Sequence, residues 1–169
     1  QRHQMKLLFA AIAGAVPFAV AASELPDTIN ADYQLGGAYA PPAGVTIVVR
    51  DSTAKPAPGL FNICYINGFQ TQPGSNWQKA LLLLDAKGNP IADPNWPDEY
   101  FLDVSTDANR KAILAKLAPV IRGCAAKGFR AAEFDNLDSY TRTDGRLSAA
   151  HAVAFAKMLA SATNAAGLA

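Results

Sequence analysis

The chain has 169 residues, 50% of them hydrophobic, with 15 basic and 14 acidic side chains and a formal charge of +1. That length fits one domain with a sizeable core. The near balance of charge gives no basic face, which speaks against nucleic acid as a partner. The only histidines are His3 and His151, so the two cysteines have no neighbours with which to build a His–Cys metal centre.

The chain opens on a targeting pattern. Met5 and Lys6 give a short positive start, with Arg2 just ahead, and Leu7 to Ala22 is an almost unbroken apolar run containing Pro17. Small residues at Ala19, Ala21 and Ala22 precede Ser23, as at a signal-peptide cleavage site. The run is short for a membrane span, and an uncleaved anchor is the alternative. The expectation is a secreted protein with a signal peptide over 1–22, a connector over 23–31 and one folded part over 32–169. Residues 1–4, upstream of Met5, are set aside. Losing Arg2 and Lys6 from the 15 basic residues leaves 13 against 14 acids. No membrane attachment is expected after cleavage. In an exported chain the even pair Cys64 and Cys124 suggests one disulfide. It would close a loop of about 60 residues, worth about 3–4 kcal/mol. Two buried free thiols are the alternative.

Asp32 to Tyr39 reads as a short first strand ending at Gly36-Gly37, and Ala40 to Gly44 as a loop. Val45 to Val49 is a β-branched run and the clearest strand, ending at Arg50-Asp51. A loop with Pro56 and Pro58 leads to a third strand, Leu60 to Asn67, closed by Gly68. Phe69 to Trp77 is a polar and aromatic loop, Asp85 to Pro90 a turn, and Pro94 to Glu99 a loop before a short strand at Tyr100 to Asp103. Helical spacing of Ile113, Leu114, Leu117, Val120 and Ile121 predicts a helix from Thr106-Asp107 to about Lys127, stopped by Gly128. Ser148 caps a second helix that runs to about Ala166, and Gly167 to Ala169 reads as the entry to another strand.

Strands alternating with long helices predict a parallel α/β arrangement. Polar residues mark the strand ends at Asp51, Asn67, Asp103 and Asp135. In a β/α barrel that end of the strands carries the chemistry. For any one of them, an aspartate or asparagine starting a turn is the simpler explanation. The stretch Gly128 to Tyr140 is different. Glu133 and Asp135 stand two apart in a strand and so share a face, followed by Asn136, Asp138, Ser139 and Tyr140. Two acids on an inward face are costly unless paired or working.

These residues resemble a known family. Tyr33-Gln34-Leu35-Gly36, Ile63 to Gly68, Phe101-Leu102-Asp103 and the run Glu133-Phe134-Asp135-Asn136-Leu137-Asp138-Ser139-Tyr140 are similar to the endo-α-1,4-polygalactosaminidases, glycoside hydrolase family 114. The resemblance covers about 32–169. It implies a (β/α)₈ TIM barrel, here the N-terminal part with about the first five strands, acting on α-1,4-linked galactosamine-containing polysaccharide without metal or organic cofactor. Phe134 departs from the proline usual between the two acids. The resemblance casts Asp135 as the catalytic carboxylate, the nucleophile, with Glu133 one layer deeper as support. It places Asp51, Tyr65, Asp103, Asn136, Asp138 and Tyr140 on the substrate. Asp51 and Asp103 would attract an ammonium group, and Tyr65, Trp77 and Trp96 offer rings to stack on sugars, with packing the simpler explanation for any one of them. The partner carboxylate is expected near the end of strand seven, beyond Ala169. A barrel of this kind takes about 250 residues, against 147 of the 169 after signal removal. A non-catalytic carbohydrate-binding remnant or inactive fragment is therefore the alternative.

Overall fold

The computed structural model describes residues 24–169. The expected signal peptide lies outside them. Four strands form one parallel sheet in the order β1 (Ala31–Gln34), β2 (Ile47–Asp51), β3 (Phe61–Asn67), β6 (Ala131–Asp135). A separate antiparallel hairpin is made by β4 (Ala92–Asp93) and β5 (Trp96–Tyr100). Two α-helices, α1 (Asp107–Lys127) and α2 (Ala149–Ala165), and two short 3₁₀ helices complete the elements of the described residues. Among the described residues, no helix is long and apolar enough to cross a membrane.

The helix ends follow from the sequence. Thr106 Oγ1 accepts the amide N–H of Asn109, and Gly128 closes α1 at φ 97°, a backbone state that glycine takes without penalty. Pro119 sits within α1 on its exposed side, so the carbonyl it leaves unbonded can turn to water. Ser148 and His151 cap α2 reciprocally. Ile113, Leu117, Ile121 and Cys124 of α1 join Cys64 and Ile66 of β3, and Phe155 and Leu159 of α2, in one buried cluster. Cys64 and Cys124 are joined by a disulfide that fastens β3 to α1.

The helices pack on one face of β3 and β6, and register sorts the other face of the sheet into rows. Tyr33, Val49, Ile63 and Ala131 are cross-strand partners, as are Asp51, Tyr65 and Glu133 in the next row and Asn67 and Asp135 in the last. One hydrogen bond shows how strongly the sheet curls. Tyr33 on β1 donates to Glu133 on β6 at 2.9 Å, although β2 and β3 lie between them. Three strand spacings in a flat sheet make about 14 Å, too far for two side chains standing perpendicular to it. The strands therefore wrap around this face as in a barrel wall.

The segment before α1 differs from the expectation. Tyr100 to Asp103 is not a strand of the parallel sheet. Tyr100 ends β5, while Phe101 and Leu102 make isolated antiparallel bridges to Gln70 and Leu82. β6 therefore lies directly beside β3, and the sheet has four parallel strands where five were expected. Pro94 to Glu99, expected as a loop, instead contributes most of the hairpin. Pro97 is tolerated because it lies in a bulge of β5, between the Asp93–Trp96 and Ala92–Tyr100 pairs, and is exposed. At the other end, Gly68 lets β3 run close to β6, since a Cβ there would lie 3.1 Å from Phe134 Cβ. Phe134 packs at this crossing on the helix side. Ala169 accepts from the N–H of Ala132 and donates to the carbonyl of Arg130, so the chain lies along β6 there, in keeping with the strand entry expected.

Replacing Cys64 and Cys124 by alanine is expected to destabilise the protein by about 4 kcal/mol, from the loop length alone. Urea unfolding with and without reductant measures this. The reductant should leave the double variant's midpoint unmoved.

Candidate active site

The site is built at the carboxyl ends of β3 and β6. Tyr65 donates to Asp135 Oδ2 at 2.6 Å, and the N–H of Asn136 donates to Asp135 Oδ1 at 2.7 Å. Asp135 itself is exposed and half-buried Glu133 lies one row below, held by Tyr33. Both phenols resist ionisation. Burial, the hydrogen bond to Asp135 and the charges of Asp135, Glu99 and Glu133 push the Tyr65 hydroxyl well above its usual value. The hydrogen bond to Glu133, with burial and neighbouring charge, does the same for Tyr33. Both stay protonated as donors across the physiological range.

The chain turns sharply after Asp135. Asn136 takes the left-handed conformation at φ 67°, which asparagine tolerates better than most residues, and leads into a 3₁₀ helix over Leu137–Arg142. The Asn136 side chain donates to Asn67 Oδ1 at 3.1 Å. Asn67 is buried and opposite Asp135 in register. Its oxygen also accepts the N–H of Gln70, and its Nδ2 donates to Glu99 Oε2 at 3.0 Å. Glu99 thus comes to the strand ends from the hairpin.

A buried ion pair fixes the hairpin against this turn. Arg142 Nε meets Asp93 Oδ2 at 2.8 Å and Arg142 Nη1 meets Asp138 Oδ2 at 3.0 Å. Asp93 is fully buried and also accepts from Gln70 Nε2 and the N–H of Asn95. Burial favours a protonated Asp93. The hydrogen bonds from Asn95, Gln70 and Arg142, with the Arg142 charge, outweigh it and hold its carboxyl below the usual range. Gln70 Oε1 is buried without a hydrogen-bond partner among the described residues.

The other expected residues divide into two groups. Asp135, Asn136, Asp138 and Tyr140 line one open hollow of about 450 Å³ with Phe134 and Val153. Asp51 shares the row of Tyr65 and Glu133, and its carboxylate accepts from Thr53 and from Gln72 Nε2. Asp103 is engaged at the start of α1, accepting from Ser105 and Asn109. Trp77 borders a smaller hollow of about 160 Å³ with Ser52, Asn67, Gln70 and Gln72, and Lys116 lies 4.9 Å over its ring. Trp96 is 62% exposed on β5. Glu99, Asn67, Asp93 and Arg142 were not singled out as site residues in the sequence, apart from Asn67 as a polar strand end. The one local signal for Glu99 was an acid beside an aromatic between proline-rich turns, which does not reveal antiparallel pairing.

The site is therefore strongly acidic. Among the described residues, no salt bridge joins Asp51, Glu99, Glu133 or Asp135 to a cation; phenols, amides and a hydroxyl answer them instead. Among the same residues no cluster of His, Cys, Asp and Glu fit to hold a metal ion is present.

Two stability predictions follow from these contacts. Arg142→Met leaves the buried Asp93 carboxylate without its cation, with only the Gln70 and Asn95 hydrogen bonds, and should cost about 3 kcal/mol. Asp93→Asn should cost less, because Arg142 keeps Asp138. Chemical denaturation of both variants checks the order. Glu99 gives the opposite sign. Burial, with the charges of Asp135 and Asp93, lifts its carboxyl above the usual value against the pull of the Asn67 hydrogen bond. A raised folded-state value means that stability is lost as pH climbs from the ordinary carboxylate range through the raised one. Glu99→Gln keeps the acceptor for Asn67 and removes that loss. It should raise the thermal midpoint at pH 7 and leave it unchanged near pH 3.

Comparison with known proteins places this geometry. The family model for glycoside-hydrolase family GH114 matches residues 15–169. No curated protein sequence matches the chain significantly. Among solved structures, Aspergillus fumigatus Ega3 in complex with galactosamine superposes with a TM-score of 0.66 at 20% identity, over 83% of this chain and 57% of that one. The glycoside hydrolase domain of PelA from Pseudomonas aeruginosa gives a TM-score of 0.50 at 20% identity, over 85% of this chain and 58% of that one. At such identity the likeness is one of fold, that of TIM-barrel glycoside hydrolases. The chain spans somewhat more than half the length of each.

Proposed function

The chain belongs to glycoside-hydrolase family GH114, and from that premise we propose that it is a secreted glycosidase acting on α-1,4-linked galactosamine-containing polysaccharide. The observation that carries this reading is the row of carboxylates at the strand ends with no cation set against it among the described residues. Such a surface favours a polycationic substrate, and a de-acetylated galactosamine polymer is one. The galactosamine bound in the Ega3 structure supports the same substrate class. Secretion rests on the apolar run from Leu7 to Ala22.

Glycoside hydrolysis uses two carboxyl groups on opposite sides of the scissile bond. In a retaining route Asp135 attacks the anomeric carbon and the partner protonates the leaving oxygen, then activates water. Tyr65 fixes the direction of the Asp135 carboxylate, and the N–H of Asn136 holds its second oxygen. Glu133 is a poor partner. It leaves the same strand two residues away, with Cα atoms about 7 Å apart, and both project from one wall with no room for a sugar between them. The acid must face Asp135 from another wall. Asn136, Asp138 and Tyr140 border the hollow beside Asp135 and meet sugar hydroxyls there.

A second reading rests on the placement of Glu133 and Asp135 on one strand, which sets no acid opposite Asp135 within β6. On that reading the groove binds the polymer without cutting it. Release of reducing ends from de-acetylated galactosamine polymer separates the two. The first reading predicts release that Asp135→Asn lowers by about a thousandfold or more, with binding retained. Unchanged release by Asp135→Asn would remove Asp135 from the nucleophile's role. Binding without release supports the second reading.

A further inference from the structure

We propose that Glu99 is a specificity-determining residue of this site, which takes the ammonium group of a de-acetylated amino sugar seated over Asp135. This deepens the reading above and rests on it. The placement of Glu99 is not accidental to a loose loop. Tyr100, the next residue, exchanges hydrogen bonds with Thr71, donating its N–H to Thr71 Oγ1 and accepting the Thr71 N–H on its carbonyl, each at 2.9 Å. Leu102 N–H bonds the carbonyl of Phe69, and Asp93 in the paired strand is locked to Arg142. Glu99 itself lies in the bulge of β5, between the Asp93–Trp96 and Ala92–Tyr100 pairs, and those pairs fix it from both sides.

Its surroundings leave one carboxylate oxygen open to a ligand. Oε2 accepts from Asn67, while Oε1 has no partner among the described residues. Asn67 Oδ1 is already taken by Asn136 and Gln70, so the amide can only turn its NH₂ toward Glu99. This fixes the carboxylate next to the row that ends in Asp135. The charges of Asp135 and Asp93 act on Glu99, and that of Glu99 acts on the neutral phenol of Tyr65; Arg142 is engaged by Asp93, Asp138 and Asn136. A cationic ligand relieves the repulsion among these acids and supplies donors to Oε1. An N-acetyl group brings no charge and leaves the repulsion in place. The same residue that lowers stability at neutral pH would therefore select the free amine, a trade common at binding sites.

The test is calorimetric titration of the intact chain with an α-1,4-galactosamine oligosaccharide and its fully N-acetylated counterpart. Glu99→Gln should weaken binding of the free-amine oligosaccharide about tenfold and leave the acetylated one unchanged, and Glu99→Asp should recover part of the loss. Equal affinities for wild type and Glu99→Gln, or equal loss for both ligands, overturn the inference and leave the proposed substrate standing. Failure of the wild type to bind either ligand overturns the substrate assignment and the inference together. A ¹³C-carboxyl titration of the wild type gives a check free of substitution. Bound free-amine oligosaccharide should lower the Glu99 pKa, and an unmoved value counts against the contact.

Discussion

The pairing of β3 with β6 is the constraint on which the rest depends. Ile63 to Asn67 stand in parallel register with Ala131 to Asp135. That register puts Tyr65 beside Glu133 and Asn67 beside Asp135, so each acid meets its neighbours from strands far apart in sequence. A slip by one residue would send Glu133 and Asp135 to the helix-covered face, where two carboxylates would lie among the Cys64, Ile66 and Leu159 cluster. Such burial is prohibitively costly without partners. The register is therefore enforced from both faces, by apolar packing on one and by phenol–carboxylate bonds on the other. The Cys64–Cys124 link adds to this by tying β3 to the helix that crosses over to β6.

The curl of the sheet then follows from side chains that reach across it. Tyr33 can bond Glu133 only if β1 folds toward β6. This contact and the Tyr65–Asp135 bond work as paired struts at successive levels of the concave face. Above them the Asp93–Arg142 pair holds the hairpin to the turn after β6. That outer support contains a cation, Arg142, shared by Asp93 and Asp138, and among the described residues no salt bridge reaches the row it surrounds. A site that keeps Glu99 and Asp135 close without a cation carries a cost to folding that a cationic ligand can recover.

Local signals were legible in the sequence where chemistry acts over short distances. The helix start at Thr106, the caps at Gly128 and Ser148 and the two-residue spacing of Glu133 and Asp135 all depend on near neighbours and stand in the structure as expected, while the β-branched run of β2 forms a strand two residues further on, at Ile47–Asp51 instead of Val45–Val49. The gathering of Asp135, Asn136, Asp138 and Tyr140 around one hollow was legible for the same reason. What was not legible depends on long-range pairing. Trp96 to Tyr100 contains a proline and no β-branched residue, so it does not look like a strand, yet it pairs with Ala92-Asp93. Tyr100 to Asp103 looked like a strand of the sheet because its apolar residues are deeply buried, and they are, but in antiparallel bridges outside it. Glu99 and Arg142 became visible only once those pairings were placed. The resemblance to the polygalactosaminidases identified the family, and the hairpin carboxylate came from the geometry alone.

The central claim is that the strand-end row from Asp51 to Asp135, with Glu99 over it, receives a galactosamine polymer. Amide chemical-shift mapping of the isotopically labelled chain during titration with an α-1,4-galactosamine oligosaccharide tests it most directly. The account predicts saturable shifts centred on Tyr65, Asn67, Glu99, Asp135 and Asn136. Shifts confined to the apolar hollow between β6 and α2, around Phe69, Ala156 and Leu159, or no saturable shifts at all, would contradict it.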